Sequence, residues 1–190
     1  AILIGDPEEI KQKSADLGLK HISEAEVICP KSNPRKQEYA DLLHELRKHK
    51  GMTPEAALAK VEDPLYLGTL MIKRGDADGM VSGAIHSTSD TVRPALQILR
   101  AAPGVKAVSG CFIVQMSEKI EPQYGSDGVF IFADSGVIIS PSIEELAQIA
   151  ISSAETAEVV VGMEPKIAFT SFSTKGSAKD EKIDRMVEAM

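Results

Sequence analysis

The chain has 190 residues, a length that fits one domain or one domain with part of a second. With 43% hydrophobic and 26% charged residues the composition is globular, which excludes a disordered chain, a collagen-like chain and a coiled coil. Acidic residues outnumber basic ones 28 to 21, a net charge of −7; general nucleic-acid or anionic-membrane binding is disfavoured, whereas a small anion at a local arginine cluster is not.

Strand-like and helix-like stretches alternate along the chain. The apolar opening Ile2–Ile4 leads into a helix whose N-cap is Asp6, with Pro7 at its first position and Glu9 able to close a capping box; Gly18 ends it. Residues 25–29 form a short strand candidate. Tyr39, Leu42, Leu43 and Leu46 recur at helical spacing, so an amphipathic helix is predicted from about residue 35 to a stop at Gly51. Thr53-Pro54 and Asp63-Pro64 start two more helices, the second with Leu65, Leu67, Leu70, Met71 and Ile72 in its core face. Residues 77–83 have the pattern of a strand running into a glycine turn, and 91–102 that of a helix.

Residues 106–117 and 127–138 are β-branched, apolar runs expected as strands. Ser142 and Glu145 make a capping box for a long helix with Ile143, Leu146, Ala147, Ala150, Ile151 and Ala154 on one stripe. Residues 166–173 are expected as a buried strand, followed by a polar loop and a last helix. Such alternation predicts an α/β fold with a mostly parallel sheet, in which ligands lie at the carboxyl ends of strands. The candidate boundary is Pro103-Gly104, dividing a first domain 1–103 from a second, 104–190. The chain opens without an initiator Met and closes in helical sequence, so both ends are expected to be cuts of a longer protein.

Chemistry has four candidate locations. The stretch 82–95 places Ser87, Thr88 and Ser89 at a helix N-terminus, where free N–H groups and the helix dipole favour an anion, and Arg93 one turn on could fork onto a phosphate. A capped helix with a solvated arginine is the alternative. Arg47, Lys48, His49 and Lys50 close the helix before Gly51; they either complement its dipole or direct one arginine, Arg47, at a substrate anion. The loop Ser173, Thr174, Lys175, Gly176, Ser177 resembles a phosphate cradle without being a Walker A motif, and a plain polar loop explains it as well. Asp127 and Asp134 suit turns better than acid–base work, and His86 has no visible partner; His21 and His44 have no metal spacing. Cys29 and Cys111 form no metal pattern and are expected as reduced thiols in a cytoplasmic protein. No apolar run approaches the roughly 18 residues of a membrane span.

Taken in order, the strings ELRKHKG (45–51), DGMVSGAIHSTSDTVRPALQIL (78–99), YGSDGVFIFADSGV (124–137) and KIAFTSFSTKGSAKD (166–180) resemble the phosphate acetyltransferase family over essentially the whole chain. The resemblance implies two α/β domains with the active site in the cleft between them, similar to the isocitrate/isopropylmalate dehydrogenase architecture, and a homodimer. It implies reversible acetyl transfer between acetyl-CoA and orthophosphate, giving acetyl phosphate and CoA. No metal or other cofactor is implied, and CoA itself is a substrate. Arg47 and Arg93 match the family's phosphate-binding arginines; Ser87, Thr88, Ser89 and the loop Ser173–Ser177 are placed nearby by analogy. The family's Ser-Arg pair and thiol-activating aspartate lie in a later segment, so the 190-residue chain alone is expected to be inactive. The alternative is a non-catalytic acetyl-CoA-sensing domain of the kind malic enzymes carry.

Overall fold

A computed structural model describes residues 1–117, 125, 127–174 and 176–190. The chain divides into two compact units, Ala1–Arg100 and Ala101–Met190.

The first unit begins with strand β1 (Ile2–Ile4), helix α1 (Pro7–Asp16) and strand β2 (Glu26–Ile28). β1 and β2 pair in parallel, Ile2 opposite Glu26 and Ile4 opposite Ile28. Asp6 caps α1 by accepting from the N–H groups of Glu8 and Glu9. Glu9 does not complete a capping box; its carboxylate accepts from Lys13 one turn along, since an i, i+4 cation is within easier reach than the cap backbone.

Four helices follow: α2 (Lys36–Arg47), α3 (Pro54–Lys60), α4 (Pro64–Arg74) and α5 (Thr88–Ile98). The predicted starts hold, because Thr53 accepts from the Ala56 N–H and Asp63 from the Leu65 N–H, and each is followed by proline. α4 is buried along Leu65–Met71, as expected of a helix that is apolar nearly all round. It contributes Tyr66, Leu67, Leu70 and Met71 to a core shared with Tyr39, Ala40 and Leu43 of α2, Ala57, Val61 and Ile98. Gly68 keeps one side of α4 open: a Cβ there would stand 2.5 Å from Met80 Sδ and 3.2 Å from Ile4 Cδ1. β1 and the segment after α4 therefore approach this helix closely.

The second unit holds strands β3 (Cys111–Gln115) and β4 (Val129–Ala133), helix α6 (Ile143–Thr156), a π-helical turn (Ala157–Val161) and helix α7 (Glu181–Ala189). β3 and β4 are antiparallel, Cys111 opposite Ala133 and Gln115 opposite Val129. α6 packs against both β4 and α7.

Several strand expectations are corrected. Residues 77–83 and 166–173 form no strand; Val81 is fully exposed, as is most of Ile167 and Phe172. The strand expected over 106–117 shortens to 111–115. Among the described residues there are two separate two-stranded sheets, one parallel and one antiparallel, rather than a mostly parallel sheet. The cause is the same throughout: an apolar, β-branched run becomes a strand only where a neighbour supplies a hydrogen-bond ladder. On α6 the buried residue is Ile149, not the expected Ile151, which is about half exposed. The inward face is thus rotated from the predicted stripe.

The capping box at α6 is present in both halves. Ser142 Oγ accepts from the Glu145 N–H at 3.2 Å, and Glu145 accepts from the Ser142 N–H at 2.8 Å. Ser142→Ala removes the first of these, and a loss of about 1 kcal/mol in stability is expected in a urea titration.

Candidate functional site

α2 carries Tyr39, Leu43 and Arg47 at successive four-residue steps, and the first two are core residues. The step after Leu43 therefore draws the stem of Arg47 inward at the end of the helix. Among the described residues its Nε, like that of Arg185 on α7, is buried with no hydrogen-bond partner. Such an atom costs about 1–3 kcal/mol when unsatisfied. Lys48, His49 and Lys50, by contrast, are exposed on a single 3₁₀ turn before Gly51. The helix-end cluster thus splits: three residues face solvent, and one guanidinium is held against the fold with an unpaired donor.

Ser87 is the N-cap of α5. Its hydroxyl accepts from the Asp90 N–H at 3.1 Å and donates to Asp90 Oδ2 at 2.6 Å, with Ser89 Oγ 3.0 Å away. That contact, reinforced by the Arg93 charge, holds the Asp90 carboxyl below its ordinary value. Arg93 Nη1 lies 3.3 Å from Asp90 Oδ1, and the arginine side chain is 56% exposed. Thr88 and His86 are exposed. The Ser87 and Ser89 hydroxyls, expected as donors to an anion, are engaged within the cap. Beyond its ion pair with Asp90, the Arg93 guanidinium keeps further donors at this end. α5 is fixed from below, since it packs on α4 and α2 and Tyr66 donates to Gln97 at 2.8 Å.

Arg47, Ser87, Thr88, Ser89 and Arg93 all belong to the first unit; Ser173, Thr174, Gly176 and Ser177 belong to the second. In that second loop the Ser173 N–H donates to Ser171, and Ser177 donates to the Thr174 carbonyl at 2.8 Å, which is ordinary turn bonding. Lys175 lies outside the described residues, as do Tyr124 and Ser126.

Other candidates have plain structural roles. Asp134 accepts from the Val137 and Ile138 N–H groups at 2.9 Å each. Asp127 sits in the left-handed region, at φ 51°, next to β4. His21 contacts Glu24, and His44 Nδ1 contacts the Met52 carbonyl. Both cysteines are free; the Ser32 hydroxyl, then the Ser32 and Lys31 backbone, hold the Cys29 thiol below its ordinary value. Among the described residues no three His, Cys, Asp or Glu side chains are grouped to hold a metal ion, and no helix is long and apolar enough to cross a membrane. The second unit contains a cavity of about 780 Å³ with a mixed lining, apolar at Phe130, Ile149 and Phe169 and charged at Asp134, Glu164 and Lys166.

One charged network was not visible in the sequence. Asp76, just after α4, accepts from both Nη atoms of Arg35 at 3.1 Å and from the Tyr39 hydroxyl at 2.8 Å. Arg74 donates to Glu38 at 2.7 Å, and the Arg35 and Arg74 guanidinium carbons lie 5.2 and 5.6 Å from the Tyr39 ring centre. Hydrogen bonds from Arg35 and then Tyr39 hold the Asp76 carboxyl below its ordinary 3.8, while burial pushes the Tyr39 hydroxyl up to about 12. A lowered carboxyl contributes stability that is complete above pH 3.8 and is lost as pH falls through the lowered native value. The gap in urea midpoint between wild type and Asp76→Asn is therefore expected to narrow on acidification below that value; a gap constant with pH contradicts it.

Comparison with known proteins places the chain. The profile of the phosphate acetyl/butaryl transferase family matches residues 1–190. A phosphate acetyltransferase of Clostridium acetobutylicum is 48% identical over 189 residues, covering 100% of this chain and 56% of that protein. One from Thermoanaerobacterium thermosaccharolyticum is 47% identical, covering 97% and 55%. Among solved structures, the EutD phosphotransacetylase from Staphylococcus aureus superposes with a TM-score of 0.81 at 39% identity, covering 99% of this chain and 53% of that one. A phosphotransacetylase from Streptococcus pyogenes gives 0.81 at 40%, covering 98% and 54%. The chain thus spans about half the length of the relatives it matches. With a profile match along its whole length and a mixed α/β structure like those of solved phosphotransacetylases, the chain belongs to the phosphate acetyl/butaryl transferase family.

Proposed function

We propose that this chain serves reversible acetyl transfer between acetyl-CoA and orthophosphate, forming acetyl phosphate and CoA, in a cytoplasmic homodimer. The observation that carries this reading, beside the family match, is the Arg47 guanidinium: its Nε is buried without a partner in a protein whose relatives are named for a phosphate substrate. An unpaired guanidinium donor suits an anionic substrate group. Arg93, tied among the described residues to Asp90 on its own helix, has donors left over for the same group.

In the proposed reaction the CoA thiolate attacks the carbonyl carbon of acetyl phosphate. The carbonyl π electrons move onto oxygen, then return as the C–O bond to phosphate breaks and phosphate departs with that electron pair. Negative charge grows on the departing phosphate, so forked arginine donors aimed at it strengthen towards the transition state. Arg47 and Arg93 take this role. Ser87, Thr88, Ser89 and the loop Ser173–Ser177 act as secondary substrate contacts, the hydroxyls becoming donors only if the cap rearranges. No residue of this chain is assigned as the thiol-activating base. The two units are read as parts of two α/β domains of the isocitrate/isopropylmalate dehydrogenase type.

The test is acetyl-CoA formation from acetyl phosphate and CoA by the full-length protein, followed by thioester absorbance. Phosphate-dependent loss of acetyl-CoA is expected in the reverse direction. Acetyl-CoA binding without turnover in either direction favours the sensing-domain alternative instead.

A further inference from the structure

α2 ends in Arg47 and begins beside Arg35 and Tyr39, the residues that grip Asp76. Tyr39 and Arg47 are eight residues apart, about 12 Å along the axis. A straight helix is rigid over that span, so whatever sets the rotation of α2 at Tyr39 also sets the direction in which the Arg47 stem leaves at the other end. Leu43, between them, is fully buried and acts as the pivot.

The other side of the grip leads to the second arginine. The chain reverses at Gly75, and the Asp76 N–H bonds to the Met71 carbonyl at 2.9 Å, so Asp76 sits at the exit of α4. The irregular segment 77–87 starts there and delivers Ser87, the cap of the helix that carries Arg93. No ladder supports this segment, so its course depends on its anchored ends and on Met80 lying against Gly68. Asp76, held by Arg35 just before α2 and by Tyr39 on it, therefore ties α2, which bears Arg47, to the exit of α4, where the segment leading to the Arg93 helix begins. Two guanidinium groups stacked at the same tyrosine ring leave little freedom for rotation. Partly exposed ion pairs add little stability, whereas a forked arginine–carboxylate pair is strongly directional. The network suits alignment better than stabilisation.

We propose that Asp76 is a positioning residue for the anion site, acting through Arg35 and Tyr39 to set the orientation of α2 and hence of Arg47. The proposal rests on the reading of Arg47 as a phosphate ligand, and it is separable from that reading by measurement.

The experiment uses the full-length protein and two readouts, the Kd of inorganic phosphate by calorimetry and the KM and kcat for acetyl phosphate. Asp76→Asn is expected to raise the phosphate Kd and the acetyl-phosphate KM by about tenfold while kcat changes less than about twofold. In an Arg47→Ala background the same substitution is expected to add less than about twofold, because its effect passes through Arg47. An equal effect in both backgrounds, or none in the wild-type background, overturns the proposal. Should Asp76→Asn not fold, Tyr39→Phe keeps the ring between the arginines and removes one bond to Asp76. About a threefold rise in Kd and KM, absent with Arg47→Ala, is then expected, and unchanged constants overturn it. A wild-type protein that binds phosphate but transfers no acetyl group refutes the proposed reaction alone, and the phosphate Kd still decides the role of Asp76. Absence of phosphate binding in the wild type refutes both.

Discussion

Arg93→Ala is expected to lower kcat/KM for acetyl phosphate by about 10²–10³-fold, the usual cost of deleting one donor to a developing oxyanion. Stability is expected to stay within about 0.5 kcal/mol of wild type, because the one ion pair lost is an exposed i, i+3 contact to Asp90. Steady-state kinetics paired with a urea titration checks both halves. Arg93→Lys separates charge from shape: a lysine restores the positive charge but not the forked donor set, so partial recovery is expected. Wild-type kinetics in Arg93→Ala would falsify the assignment, and a collapse in stability would place Arg93 in the fold instead.

Arg47→Ala is expected to cost as much activity, about 10²–10³-fold in kcat/KM, but with the opposite signature in stability. Arg47 has a buried Nε without a partner among the described residues, and deleting such an atom removes a desolvation penalty of about 1–3 kcal/mol. Against that stands the lost packing of the aliphatic stem. The urea midpoint is therefore expected not to fall. A variant that is inactive and at least as stable as wild type is what a strained ligand-binding residue produces. A variant both inactive and markedly less stable would show that the stem is a core element whose guanidinium is incidental.

The helix starts were readable because capping is local chemistry. Asp6, Thr53, Asp63 and Ser142 each bond to a backbone N–H two or three residues ahead, and spacing alone encodes that contact, whereas α5 starts at Thr88 behind its Ser87 cap rather than at the expected residue 91. The strands were far less readable. Residues 77–83 and 166–173 have strand composition and no strand, since composition says nothing about whether a partner strand lies alongside. β3 and β4 did form inside the longer runs expected as strands, both being dense in β-branched and aromatic residues, but as an antiparallel pair.

The candidate site shows the same division. The family resemblance rests on strings of consecutive residues, and the profile match over the whole chain bears it out. Nothing local distinguished Arg47 from Lys48 or Lys50, because all three equally complement a helix C-terminus. Only the packing of Leu43 and its neighbours showed which of them is drawn inward. The Asp76 network was invisible for the plainest reason: Arg35 and Asp76 are 41 positions apart.

By itself, then, the sequence determined where most helices begin, which residues could serve as anion ligands, and which family the strings resemble. The tertiary structure alone decided which apolar runs found a partner, which basic residue at the end of α2 has a buried donor atom, and which carboxylate ties α2 to the exit of α4. The first set depends on contacts within about one helical turn, whose geometry repeats in every protein. The second depends on contacts between distant residues, and these exist only once burial of the shared core has brought the elements together.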